Sequence, residues 1–525
     1  MLKLFSNAQD YGERIAIVYN NKSYTYKDLV DASNHLAQSL LSEENDLEEE
    51  RIGFLIPPSF DYVCLQWGIW KAGGVGVPLS ISATELELNH FLKNSKISVL
   101  ITNGENIDRL KNLTGALNIK IKELNSLEAK QIKTLPNISP KRKAMILYTS
   151  GTTNKPKGVV STHANIEAQI CALIKAWEWT REDFIPLFLP LHHIHGIINS
   201  LSCPLWIGAK IEILGAFEVE NVIHSILKNK YSVFTAVPTI YFSLLEKIEK
   251  MNEKDLGNLK MSFKEMRLMM SGSAALASEI HKKWTKFTDQ ILLERYGMTE
   301  VGMAISNPFI GERRPGSVGL PLPQVKICLM DKGKVIEVED TPGEIMIKGP
   351  QVFLEYWEEP EITNESFMNG WFKSGDVAVL EKGYYKILGR DSVDIIKSGA
   401  YKISALEIED TLLKHPSIKE CAVVGIEDKK WGEIVAVSLT LVDQEVISIK
   451  DLQTWSSAFL SNYKIPRKMN IVSELPKNSM GKINKPEVKK SFLIYWLGIS
   501  QIVSKKLSNL SLLKCPSSFV TPNLE

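Results

Sequence analysis

Residues 147–160 read LYTSGTTNKPKGVV. The run holds Thr149, Ser150, Thr152 and Thr153, two glycines (Gly151 and Gly158) and two lysines (Lys155 and Lys157). Such a loop suits phosphate. Glycines let backbone N–H groups converge on an anion, hydroxyls donate to its oxygens, and lysine adds a mobile point charge. It is not a Walker A loop, which needs Lys directly after its second glycine and then Ser or Thr. Here Lys157 precedes Gly158 and Val159 follows it. Taken alone, the stretch also fits a polar surface turn. Its flanks place it in a fold. AMILY (144–148) is apolar throughout and predicts a short buried strand. GVVSTHANIEAQI (158–170) leads into a helix, with Thr162 as N-cap.

Upstream, the short apolar runs RIAIVY (14–19), RIGFLI (51–56), VGVPLS (75–80) and ISVLITN (97–103) alternate with helical stretches such as 25–41 and 59–74. Downstream, FIPLFLPL, KIEILG, YSVFTAVP, MRLMMSGSA and QILLERYG repeat the alternation. Strands alternating with helices predict an α/β fold with largely parallel sheets. From about 316 the texture turns β-rich, and near 390 the composition shifts again. The expected architecture is a large N-terminal domain (1–389) of parallel α/β sheets plus a β-rich subdomain. A small mobile α+β C-terminal domain (390–490) follows, then an atypical tail (491–525) read as an irregular terminus or a docking amphipathic helix.

The balance of 62 basic against 61 acidic residues gives a net charge of +1, which argues against a general nucleic-acid or membrane-surface binder. Six cysteines without CxxC spacing suggest neither a disulfide framework nor a zinc site. No apolar run is long enough to predict a transmembrane segment. The first residues lack a signal-peptide core or a clear presequence, so the chain reads as cytoplasmic, with a mitochondrial location as the alternative if the N-terminus is shortened. Oligomeric state is not readable from the sequence.

Four further segments follow in order: YGMTE (296–300), WFKSGDVAVL (371–380), LGRDSVDIIKSGAYKISALEIE (388–409) and NSMGKINK (478–485). With the opening loop, this ordered set resembles the adenylate-forming superfamily of acyl-CoA synthetases, luciferases and adenylation domains, from about residue 10 to about 490. The resemblance implies an acid:thiol ligase using ATP, Mg²⁺ and CoA. A carboxylate attacks the α-phosphate of ATP, pyrophosphate leaves, and a thiol then displaces AMP from the acyl-adenylate. It further implies that Thr149, Ser150, Gly151, Thr152, Thr153, Asn154, Lys155, Pro156 and Lys157 hold the β- and γ-phosphates. Thr299 touches the α-phosphate, and Glu300 sits at the Mg²⁺, a hard cation that takes oxygen ligands. Tyr296 packs on adenine beside the turn holding Ser271 and Ser273, while Asp376 accepts from the ribose hydroxyls and Arg390 supports them. Lys482 bridges the α-phosphate and the substrate carboxylate in the first half-reaction. The family's hinge falls at Ser392, where many relatives carry Asp or Lys. After rotation, Ser398 and Gly399 line the pantetheine tunnel.

By the same resemblance His193 gates the acyl pocket, with His192 and His195 read as satisfied core residues. Residues 292–323 look particularly like malonyl-CoA synthetases, which implies malonate, or also methylmalonate, as substrate. The second carboxylate of such an acid needs a buried cationic partner, preferably an arginine fork. Arg313 is the expected clamp, with Arg314 second, and Ser271 is a further expected substrate contact. The alternatives are a short- or medium-chain or coumarate-type ligase and, in a different class, a carrier-loading adenylation protein. A luciferase-like oxygenase and an inactive binding protein are further readings on the same fold.

Overall fold

The computed structural model describes residues 2–129, 134–149, 156–399, 401–443, 445–477 and 482–492. The tail beyond 492 and the loop residues Ser150, Gly151, Thr152, Thr153, Asn154 and Lys155 lie outside them. The chain divides into two compact units, Met1–Ser392 and Val393–Glu525.

The first unit has the expected α/β character. Apolar runs that are buried on both faces make parallel strands, since only strands covered by helices can be hydrophobic throughout. One sheet runs, in spatial order, Glu355–Tyr356, Lys157–Thr162, Lys143–Thr149, Val75–Pro78, Arg51–Leu55, Val99–Thr102 and Lys120–Glu123. Its pairs are parallel from Lys143–Thr149 onward and antiparallel before it. A second sheet sets Val233–Ala236, Leu268–Ser271 and Leu293–Met298 in parallel, then adds the antiparallel Gly302–Ser306 and, at the edge, Leu320–Pro321. Both contribute to a core that includes the fully buried Trp67, Trp70, Trp177 and Phe54. The β-rich part is antiparallel and joins Lys326–Asp331, Gly343–Lys348, Trp371–Glu381 and Tyr384–Arg390.

Two features go beyond the sequence reading, whose Thr162 N-cap the structure shows. The segment after the phosphate loop is first a strand, Lys157–Thr162, and only then the helix His163–Trp177. Val159 and Val160 are β-branched and buried, and Thr162 ends the strand by capping the helix reciprocally with Asn165. His195 opens a π-helix, His195–Ser202, buried along its length.

The second unit is an α+β layer. The long hairpin Ile418–Asp428 and Gly432–Leu441 carries Lys468–Ile471 in parallel on one side. The helix Ala405–Leu412 contributes Ala405, Ile408 and Leu412 to the core beneath. Among the described residues, no helix is long and apolar enough to cross a membrane.

Candidate active site

The strands on either side of residues 150–155 pair antiparallel. Thr149 and Lys157 face each other across the last register pair of Lys143–Thr149 and Lys157–Thr162. His90 Nε2 lies 2.8 Å from the Pro156 carbonyl oxygen and so donates to it, fixing the loop's exit. Asn165, the residue that completes the Thr162 cap, donates from Nδ2 to the carbonyls of Pro350 (2.8 Å) and Val352 (2.9 Å). This draws the 350–356 segment alongside, where Tyr356 pairs opposite Val159.

That segment meets Glu300. Thr299 and Glu300 form the turn between Leu293–Met298 and Gly302–Ser306. The Phe353 N–H donates to the Glu300 carbonyl at 2.7 Å, and the Tyr356 hydroxyl donates to Glu300 Oε1 at 2.9 Å. Burial raises the Glu300 pKa, with Tyr356, Arg390 and Lys157 pulling the other way. The Lys157 ammonium stands 4.9 Å over the Tyr356 ring. One tyrosine therefore touches both the loop lysine and the turn carboxylate. The Glu300 carboxylate is an oxygen donor of the kind Mg²⁺ takes together with phosphate oxygens, while Lys157 and Arg390 suit the phosphates themselves; among the described residues no group of three or more His, Cys, Asp or Glu could hold a metal ion.

Asp376 and Arg390 are register partners on Trp371–Glu381 and Tyr384–Arg390. Arg390 Nε donates to Asp376 Oδ1 at 2.9 Å, and the Tyr296 hydroxyl donates to Oδ2 at 2.6 Å. A carboxylate offers about four lone-pair positions, so Asp376 retains capacity for two further donors, such as a pair of vicinal hydroxyls. Burial first, and the Asp376 charge second, push the Tyr296 phenol well above its ordinary pKa. It therefore stays a donor at neutral pH.

The turn at 271–274 faces the next strand. Ser271 ends Leu268–Ser271 and pairs with Glu294, the residue before Arg295. Its buried hydroxyl has no hydrogen-bond partner among the described residues. Arg295 is 3 % exposed and, among the described residues, has no carboxylate partner. Its NH2 meets His195 Nε2 and lies 3.2 Å from Thr235 Oγ1, and NH1 lies 3.2 Å from the Met303 sulfur. Arginine only donates, so His195 Nε2 accepts and its Nδ1–H is left for Ser273 Oγ at 3.2 Å. Burial holds the Arg295 pKa down to about 10, still far enough above neutrality for the cation to persist. Gly272 makes this possible, because a Cβ there would collide with the guanidinium.

Arg313, the expected clamp, is engaged otherwise. Its Nε, NH1 and NH2 donate to the carbonyls of Pro308 (3.3 Å), Ile291 (2.9 Å) and Phe309 (3.0 Å). A fork spent on three backbone acceptors braces its own loop. Arg314 pairs with Glu312 at 2.8 Å and stacks 3.9 Å over Tyr384. Sequence reasoning missed Arg295 and Thr235 and read His195 as bland core. The available signal was an arginine inside the apolar strand QILLERYG, since charged residues are rarely fully buried without a partner. His193 and His192 are half-buried with ring centroids 4.1 Å apart, and burial lowers the His192 pKa to about 4.

Ser392 is the last residue of the first unit. In the second, Gly399 takes φ +60, a left-handed conformation that L side chains adopt rarely, and its N–H donates to the Trp431 carbonyl at 2.6 Å. Ser398 is buried on Ile395–Ser398. Lys482 is half-buried next to the Lys477–Ile483 bridge.

The family model "AMP-binding enzyme" matches residues 4–357, and "AMP-binding enzyme C-terminal domain" matches 407–482. The chain belongs to the AMP-binding enzyme family. Among curated AMP-binding enzymes, it is 40% identical over 524 residues to a mitochondrial malonate–CoA ligase of Mus musculus, covering 93% of this chain and 90% of that protein. The malonate–CoA ligase of Arabidopsis thaliana is 38% identical, with 93% and 88% covered. Of solved structures, ATP-bound MatB from Rhodopseudomonas palustris superimposes with a TM-score of 0.85 at 27% identity over 94% of this chain and 99% of that one. The o-succinylbenzoate CoA synthetase of Bacillus subtilis, in complex with ATP and magnesium ion, gives 0.81 at 27% identity, with 93% and 99% covered.

Proposed function

We propose that this chain is an AMP-forming malonate–CoA ligase. It joins malonate to ATP as an acyl-adenylate and then passes the malonyl group to the thiol of CoA. The observation that carries the acid assignment is Arg295, a buried guanidinium with no carboxylate partner among the described residues, beside the unpartnered Ser271 hydroxyl. A dicarboxylate supplies the missing anion, while a monocarboxylate leaves the charge buried and unpaired, which is costly. Arg295 thus replaces Arg313 in the clamp role. His195, Thr235 and Ser273 orient it, and His193 borders the pocket.

The nucleotide roles follow the geometry of the same unit. Asp376, with Tyr296 and Arg390 on its two oxygens, takes the ribose hydroxyls. Thr149 and Lys157, at the ends of the two paired strands, take the outer phosphates, and Thr299 the α-phosphate. Glu300 would hold Mg²⁺, which supplies charge neutralisation for the phosphate oxygens. Lys482 places its point charge between carboxylate and α-phosphate, where catalysis is mostly positioning and electrostatics. We further propose that the small unit turns about Ser392 between half-reactions, bringing Ser398 and Gly399 to the CoA arm. The mitochondrial relatives favour a mitochondrial location over the cytoplasmic reading, which organelle fractionation checks.

The test offers malonate, methylmalonate, acetate and octanoate with ATP, Mg²⁺ and CoA, and quantifies AMP and thioester. Malonate turnover that collapses in Arg295→Met and survives in Arg313→Met is expected. Equal use of acetate, or the reverse ranking of the two variants, would sink the assignment.

A further inference from the structure

Lys482 lies between Lys477 and Lys485, two positions that are tied down unequally. Lys477 and Ile483 form an antiparallel bridge, and the Asn484 N–H donates to the Pro476 carbonyl at 2.7 Å. The chain then starts a helical turn at 485, with Asn484 as its cap. Lys477 pairs with Glu420 at 2.6 Å on a side where both are about a third exposed. Such a pair fixes little. Lys485 is different in kind. Its ammonium lies 2.5 Å from Asp394 Oδ1 and 2.7 Å from Glu409 Oε1, with all three side chains largely buried.

The Glu409 carboxylate and the Asp394 backbone are themselves held. Glu409 Oε1 also accepts from the Val423 N–H at 2.7 Å, and the Asp394 carbonyl accepts from the Ala405 N–H at 2.8 Å. Burial alone lowers the Lys485 pKa, but the two acids outweigh it and leave it raised, so the cation persists. The triad therefore joins three places: the residue two positions after Ser392, the helix Ala405–Leu412, and the residue three positions after Lys482.

We propose that Lys485, seated on Asp394 and Glu409, is a positioning residue that holds Lys482 at its working place in the first half-reaction. A buried ionic triad is a poor choice for stability alone, because desolvation cancels much of its attraction. What it does supply is a fixed register, and a point charge used at a phosphoryl centre needs one, since displacement by about 1 Å can cost on the order of 100-fold in rate. Because Asp394 follows Ser392 so closely, the same triad makes the Lys482 loop move with the first residues past the hinge. This inference rests on the ligase reading above for its kinetic arm but not for its structural arm.

The experiment uses the full-length chain with Lys485→Met, Lys485→Arg and Asp394→Asn. The kinetic arm compares acid-dependent ATP–pyrophosphate exchange with thioester formation from preformed acyl-adenylate and CoA. Exchange is expected to fall about 100-fold in Lys485→Met, with thioester formation from the adenylate changed less than about threefold and Lys485→Arg recovering part of the exchange. A fold defect moves both half-reactions together, and that result, or an unchanged exchange rate, overturns the proposal. Lys485→Met leaves two buried acids facing each other and can fail to fold. Asp394→Asn keeps the Glu409 contact and reads the same split at smaller amplitude. The structural arm is hydrogen exchange by mass spectrometry, which needs no substrate. Faster exchange confined to peptides spanning 482–488 supports the proposal, and unchanged exchange there overturns it. A wild-type chain silent with malonate but active on another acid rejects the malonate reading and leaves the half-reaction split measurable with that acid.

Discussion

Gly272 and Arg295 are packed so closely that the guanidinium occupies the space a side chain at 272 would need. A methyl group in Gly272→Ala must therefore push Arg295 off its contacts with His195 and Thr235. Disturbing a buried, charge-bearing hydrogen-bond set costs about 2–3 kcal/mol, so kcat/KM for malonate should fall roughly 30- to 150-fold with nucleotide affinity unchanged. Steady-state kinetics with malonate and MgATP varied separately check this, and a loss shared by both substrates would refute it.

Tyr356 joins two functional groups through one ring, its hydroxyl on Glu300 and its face under Lys157. Tyr356→Phe keeps the ring and removes the hydroxyl. The expected result is an Mg²⁺ requirement and an ATP KM raised about tenfold or more, with the malonate KM within twofold. Titrating Mg²⁺ at fixed ATP reads it directly.

Gly399 predicts the opposite half-reaction. At φ +60, and with the Trp431 ring 3.5 Å from where a Cβ would stand, the position strains any L residue. Gly399→Val should leave pyrophosphate exchange near wild type and slow CoA-dependent release of AMP about tenfold or more. Stopped-flow measurement of AMP release with and without CoA separates the two.

Asp183 gives a stability prediction far from the chemistry. Burial would raise its pKa, but the Arg267 fork (2.7 and 2.6 Å), the Thr180 N–H and the Ser232 hydroxyl outweigh it and leave it lowered. A depressed acid contributes stability that is complete above its unfolded value, about 3.9, and is lost as pH falls through the folded value. Asp183→Asn should cost about 3 kcal/mol at pH 7 and should narrow the gap to wild type below about pH 4. Urea melts at several pH values test both halves.

Where the sequence was legible, a local pattern carried the physics. Thr162 followed by Asn165 specifies a cap whatever surrounds it, and Ala144 to Leu147 are buried because nothing in them tolerates water, while the half-buried Tyr148 keeps its hydroxyl on Asn94. The α/β alternation likewise fixed the parallel sheets of the first unit. Lys157 was harder. Whether GVVST continues a strand or starts a helix depends on the cross-strand partner Thr149 and the edge strand carrying Tyr356, both set by tertiary pairing. The arginines show the limit most clearly. Arg313 and Arg295 are both plausible cations on paper. Three backbone carbonyls that converge on Arg313 engage its fork and are the reason we propose Arg295 instead, and no spacing rule encodes a loop's carbonyl directions.

The buried charge of Arg295, with no carboxylate partner among the described residues, has a thermodynamic corollary. A protein that keeps a desolvated cation without its counter-charge is less stable than it needs to be, and a ligand that supplies that charge returns the deficit as linkage. The acid should then act as a folding ligand even in the absence of nucleotide. Saturating malonate should raise the melting temperature, acetate should not, and Arg295→Met should melt higher than wild type without acid while losing all response to it.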